Sequence, residues 1–176
     1  MNYEYKHLLD TDFHPGSRVW IYQSNRLFSL DEALQIEEML KEFTGQWKSH
    51  GAPVKGDAHL FFGQFIVLIA DETATSVGGC STDSSVRLIK DIEQKFGVNM
   101  FDRTTLAFIM KNKSDNYLIE LLPLSQLPYA LDNGFIHADT LYFNNLVQTK
   151  EELEHKWIVP VKDSWLATKF KLNSVA

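Results

Sequence analysis

The chain has a single cysteine, Cys80, which excludes an intramolecular disulfide and leaves no sign of an oxidising compartment. It also lacks runs of Lys or Arg. With 17 basic and 23 acidic side chains its formal net charge is −6, the wrong sign for a nucleic-acid binder, which presents a basic field to phosphates. No apolar run approaches the roughly 20 residues that cross a bilayer. The start, Met1-Asn2-Tyr3-Glu4-Tyr5-Lys6-His7, lacks the basic residues and apolar core of a signal peptide. Internal repeats, low-complexity segments and a clear interdomain linker are missing too. These absences predict a soluble, cytoplasmic protein with neither nucleic acid nor membrane as partner. What remains, 176 residues with 44% hydrophobic and 23% charged side chains, fits a globular domain of ordinary size with an appended segment.

The densest pattern lies between residues 64 and 97. Phe65-Ile66-Val67-Leu68-Ile69-Ala70 reads as a buried strand that stops at Asp71-Glu72. The small and polar residues Val77-Gly78-Gly79-Cys80-Ser81-Thr82-Asp83-Ser84-Ser85 follow as a loop. A helix is then predicted from Val86 to Phe96, with Leu88, Ile89, Ile92 and Phe96 on one face and Gly97 as its left-handed terminator.

Ahead of this stretch, residues 1–17 read as an N-terminal arm ending in the turn His14-Pro15-Gly16-Ser17. Arg18-Val19-Trp20-Ile21-Tyr22 is a first strand. Ser29-Leu30-Asp31-Glu32 matches a capping box, and behind it Ile36, Leu40, Phe43 and Trp47 form one apolar helical face. His50-Gly51-Ala52-Pro53 ends that helix. Residues 54–62 form a second strand interrupted by Lys55, Gly56, Asp57 and His59, a composition suited to a sheet edge. Further on, 104–110 and 117–122 are fourth and fifth strands paired through a polar turn, and a short capped helix begins near Thr149-Lys150-Glu151-Glu152.

The element order β-α-β-β-α-β predicts an α+β fold with a ferredoxin-like (split) core over 18–122, flanked by the arm and by a C-terminal extension, 123–176, packed on the core. The second strand is expected at an edge and the third in the interior. Two helices cover only one sheet face, so the other must be covered by 123–176 or by a second subunit. A homodimer contact is expected on the fourth strand and the aromatic tail, Trp157 to Phe170.

Chemistry is sought first at Cys80. Just ahead of a helix start the dipole favours its thiolate, and His50, at the end of the first helix, is expected at the same sheet edge. The amides of Ser81 to Asp83 would be the oxyanion donors of a thiol-dependent hydrolase or acyl transferase. The plainer alternative is a small side chain packed under a tight loop. The loop also suits an anion, with Gly78 and Gly79 for close approach and Ser81, Thr82, Ser84 and Ser85 as hydroxyl donors. No Gly-Lys pair of a P-loop accompanies them, so nucleotide hydrolysis is not expected, and Thr82 or Asp83 can simply cap the helix. Arg26 can meet a carboxylate ligand or pair with Asp31 or Glu32. Asp71-Glu72, even joined by Asp83, reads as a solvated loop start rather than a metal site. His7, Asp10, Asp12 and His14, and likewise His137 with Asp139, read as surface groups. No cofactor or metal is expected. The leading reading is a module without catalytic activity that binds a small ligand or a protein.

Several of these stretches together resemble a family of short bacterial proteins without an established activity, found mainly in Bacteroidetes and often given the name ABC transporter ATPase. They are Val19-Trp20-Ile21-Tyr22-Gln23-Ser24-Asn25-Arg26, Trp47 with Ser49-His50-Gly51, Phe65-Ile66-Val67-Leu68, Gly79-Cys80-Ser81 with Asp83 and Ser85, and Phe101-Asp102-Arg103. The resemblance spans roughly residues 18 to 110. This chain has neither the Walker A lysine loop nor an LSGGQ-like signature that the name would require. The resemblance therefore implies no catalytic residue, although it includes His50 and the Cys80 loop.

Overall fold

The computed structural model describes residues 3–73 and 79–172. The fold is α+β, built on antiparallel sheets. The chain divides into two compact units: residues 3–102 with 145–154, and residues 103–144 with the described part of 155–176. No helix among the described residues is long and apolar enough to cross a membrane.

The N-terminal unit contains β1 (Arg18–Gln23), α1 (Leu30–Gln46), β2 (Lys48–Ser49), β3 (Ala52–Pro53), β4 (Lys55–Phe61), β5 (Phe65–Asp71) and α2 (Gly79–Phe96). Its main sheet has the order β1-β5-β4, with Trp20 opposite Leu68 and Leu60 opposite Ile66. The unbroken apolar strand is thus central and buried along its whole length, and the interrupted strand lies at the edge, as expected. The capping box of α1 is formed: Glu32 N–H donates to Ser29 Oγ, and Ser29 N–H donates to Glu32 Oε2 at 2.8 Å. Tyr22, Ile66 and Leu68 pack against Ile36 and Leu40 of α1 and Ile89 and Ile92 of α2.

Three local features differ from expectation. The first helix gives way to the small β2–β3 hairpin before β4. The second helix starts at Gly79 rather than near Val86, because its first two turns hold polar and small residues that carry no apolar period. Thr82 and Asp83 therefore sit inside the helix and do not cap it. The arm, read without a regular element, carries a 3-10 turn at Lys6–Leu8, and its Tyr5, Leu9 and Phe13 are buried, as are Val147 and Leu153. The Tyr5 hydroxyl donates to the Leu153 carbonyl at 2.5 Å, and Lys150 N–H donates to the Ser17 carbonyl at 2.9 Å.

The free side of β1 is bridged by Thr149, and Val19 N–H donates to the Gln148 carbonyl. The fourth strand expected in this sheet is not there. It is β6 (Thr105–Lys111), in the C-terminal unit with β7 (Tyr117–Pro123), α3 (Leu127–Asp132), β8 (Leu141–Phe143), β9 (Ile158–Pro160) and α5 (Trp165–Lys169). The segment 145–156 between β8 and β9 carries α4 (Lys150–Lys156), whose Glu152 N–H is capped by Thr149 Oγ1 at 3.2 Å. The second sheet runs β7-β6-β8-β9, so β6 finds its partners in its own hairpin and in a three-residue strand of what read as an extension. Leu106, Phe108, Leu127, Tyr142, Val161 and Leu166 form its core.

Candidate functional site

Of the predicted site, Gly78 lies outside the described residues, and only the backbone is described for Gly79, Cys80 and Ser81. Cys80 falls in the first turn of α2, where backbone amides lack intrahelical acceptors and the helix dipole is positive. The amide of Asp83 is already part of the helical ladder. Asp83 is exposed, and Thr82 and Ser84 are half-buried. Ser85 is buried and donates to the Thr82 carbonyl at 2.7 Å. His50 is exposed at the tip of the β2–β3 turn, with a left-handed φ of 49°. The strand β2, which leads into the turn carrying His50, packs against α2, the helix whose first turn holds Cys80. The position of the thiol lies outside the described side chains.

Arg26 serves the fold. Its guanidinium makes a two-pronged bond to Glu32 at 2.8 and 2.9 Å and donates to the Phe96 carbonyl at 2.7 Å. It thereby ties the capping box of α1 to the last turn of α2. The Arg26 hydrogen bond, helped by the Ser29 amide, holds the Glu32 carboxyl down at about 2. Beside it Asn25 exchanges backbone and side-chain bonds with Asn99. The Gln-Ser-Asn-Arg stretch is a clasp between elements, and Arg26 is committed to it.

Asp71 is not a solvated loop start. It is buried, with Oδ1 accepting from Thr73 N–H at 3.0 Å and from the Thr73 hydroxyl at 2.7 Å. Oδ2 accepts from His14 N–H at 3.3 Å and pairs with Lys55 Nζ at 3.4 Å. The Thr73 hydroxyl and amide, with smaller help from His14 and Lys55, hold its carboxyl well below the usual range. Glu72 is paired with Arg18 at 3.4 Å, and Asp139 with Lys162 at 2.6 Å. Among the described residues no three His, Cys, Asp or Glu side chains are placed to hold a metal ion.

The arrangement that sequence reasoning missed is on β4. Period-two alternation puts Asp57, His59 and Phe61 on one face of this edge strand, opposite Ala58 and Leu60. His59 Nε2 and Asp57 Oδ2 are 2.8 Å apart, and the imidazole stacks on Phe61 at 5.0 Å. Burial alone would raise the Asp57 carboxyl; the His59 hydrogen bond and charge outweigh it and leave it below its ordinary value. The pair lines a cavity of about 420 Å³ whose other walls come from Leu8 of the arm and from Glu37, Leu40, Lys41 and Thr44 of α1.

Searches against protein-family models, curated proteins and solved structures return no match. The chemistry of the cavity therefore stands on its own geometry. In a neutral imidazole, a carboxylate that accepts from Nε2–H leaves Nδ1 as an acceptor. Nδ1 has no partner among the described residues, and neither Glu37 nor Lys41 has an ion-pair partner there. Thr44 Oγ1 already donates to the Lys41 carbonyl at 3.1 Å, so the hydroxyl in this cavity is engaged. The signal present in the sequence was Asp-x-His on an edge strand, two side chains that a strand sets side by side.

Proposed function

We propose that the chain is a small-ligand-binding module without catalytic activity, and that the ligand occupies the cavity lined by Asp57 and His59. The observation that carries this reading is an imidazole oriented by a half-buried carboxylate, with its second nitrogen facing no partner among the described residues. The cavity joins an apolar wall, Leu8, Leu40, Leu60 and Phe61, to Lys41 and Glu37, which have no ion-pair partner among the described residues. It suits a small molecule with an apolar body, a donor for His59 Nδ1 and a carboxylate for Lys41. An acid–base pair beside an engaged hydroxyl supports recognition rather than acyl transfer.

Adding a set of small hydroxylated carboxylates while following the His59 imidazole nitrogens by NMR tests this. Binding should shift the His59 signals, and His59→Gln should weaken it by about tenfold, the value of one such hydrogen bond. Ligands that bind with full affinity to His59→Gln would refute the site. The rival reading, a thiol hydrolase or acyl transferase using Cys80 with His50, is favoured by the start of α2 at Gly79 and its packing on β2. A thiol titrating below about 7.5, and moving in His50→Ala, would support it; a thiol that alkylates only on unfolding would end it. The N-terminal sheet order β1-β5-β4 supports a ferredoxin-like ancestry in which Thr149 has taken the side of a fourth strand. The acidic charge and single cysteine support a cytoplasmic location.

A further inference from the structure

Each sheet of the molecule ends in an edge, and an edge strand left open is a template for another strand. The two larger sheets have four such edges, and three of them are guarded. The side of β1 is bridged by Thr149, β4 carries Lys55, Gly56, Asp57 and His59 beneath α1, and β9 is three residues long and ends in Pro160. The fourth, β7, has no strand or bridge on its outer side among the described residues. It is seven residues long and pairs with β6 at every position. It has no Lys, Arg or Gly, a single charge at Glu120, and a proline only at its last position. Tyr117 and Leu118 on it are 47% and 38% exposed.

We propose that β7 pairs antiparallel with β7 of a second copy of this chain, with the two-fold axis at Ile119. The hydrogen-bond phase of the strand supports this register. Asn112 N–H donates to the Asn116 carbonyl and Leu124 N–H to the Thr104 carbonyl, at the two ends of the β6–β7 ladder. Even-numbered residues of β7 therefore bond to β6, and the N–H and C=O groups of Ile119 and Leu121 point outward.

Only symmetric registers are open to a two-fold pair, in which the same patch serves both copies. Centring on Glu120 sets two carboxylates across a non-hydrogen-bonded position, about 4.5 Å apart at Cα, where like charges repel. Centring on Leu121 puts Pro123 opposite Ile119, where a donor is missing. Centring on Ile119 sets Ile119 against Ile119, Tyr117 against Leu121, and Glu120 against Leu118. The side chains are compatible, and the outward amides of Ile119 and Leu121 find carbonyl acceptors.

Sedimentation velocity of the full chain over a wide concentration range is the test. The native chain should be a dimer, Ile119→Lys should weaken it at least tenfold by opposing two ammonium groups, and Leu118→Lys should retain it by facing Glu120. In a Cys80→Ala background, Ile119→Cys should form a covalent dimer on mild oxidation, since directly bonded positions lie about 5.5 Å apart at Cα; Glu120→Cys should not. If circular dichroism shows Ile119→Lys to be unfolded, the cross-link decides. A native chain that stays monomeric, even one that takes an extended peptide along β7, overturns the proposal. So does a dimer indifferent to Ile119→Lys with no Ile119→Cys cross-link.

Discussion

Asp71→Asn isolates the carboxylate that ties the arm to the sheet. Its Oδ1 holds the amide and hydroxyl of Thr73, while Oδ2 faces His14 N–H at 3.3 Å and Lys55 Nζ at 3.4 Å. Lys55 also donates to the Asp12 carbonyl at 2.6 Å and lies 4.8 Å above the Phe13 ring. Asparagine keeps one acceptor oxygen for Thr73 and turns an amide donor toward two donors. A bond to a charged acceptor is worth about 1.5–3 kcal/mol and a neutral one about 0.5–1.5. The Lys55 pair adds little because its side chain is 45% exposed and screened. A loss of roughly 1–2 kcal/mol at neutral pH is expected. Two compact units make a single global transition an unsafe measure. Urea denaturation should therefore be paired with hydrogen exchange on peptides spanning residues 54–71, where the loss should appear.

The pH dependence has a definite sign. A carboxyl held below its ordinary value stabilises the fold fully above its unfolded pKa, about 3.9, and that stabilisation is lost as pH falls toward the folded value. The gap between the native chain and Asp71→Asn should be complete at neutral pH and narrow progressively below about pH 4. Glu32, held at about 2, loses its contribution over a similar range, but in both proteins, and so cancels in the difference. An Asp71→Asn chain as stable as the native one at neutral pH, or a gap unchanged at pH 3, would refute the assignment.

Other perturbations follow from the same geometry. A Cβ at Gly56 would lie 2.4 Å from the Trp47 ring, so Gly56→Ala should destabilise the N-terminal unit by about 1–3 kcal/mol, relieved in part by Trp47→Leu. Additive losses in the double variant would show that the ring is not what it meets. In Arg26→Gln the Glu32 carboxyl, read by carbon NMR, should rise from about 2 toward its ordinary 4.3; a value that stays near 2 would assign the shift to the Ser29 amide. Trp157 is fully buried against Phe143, so Trp157→Ala should cost the C-terminal unit about 3–5 kcal/mol, and a melting curve little changed would contradict that packing.

Residues 55–59 mark where sequence reading stops. Pattern places β4 at an edge, because Lys55, Gly56, Asp57 and His59 break an apolar strand, and the sheet order agrees. Polarity alone does not reveal what each residue faces. Lys55 anchors the arm, Gly56 makes room for Trp47 at a distance no other residue type tolerates, and Asp57 orients His59 over a cavity. These roles depend on the arm and on α1, which no local window contains. The same limit explains β6. Its apolar run promises a buried strand, but which strand lies beside it is decided by competition between possible neighbours. A hairpin already formed at 105–123 needs only the short β8 to complete its second side, whereas joining β1 would require displacing the bridge at Thr149. Local pairing has the smaller loop-closure entropy to overcome, and it prevails.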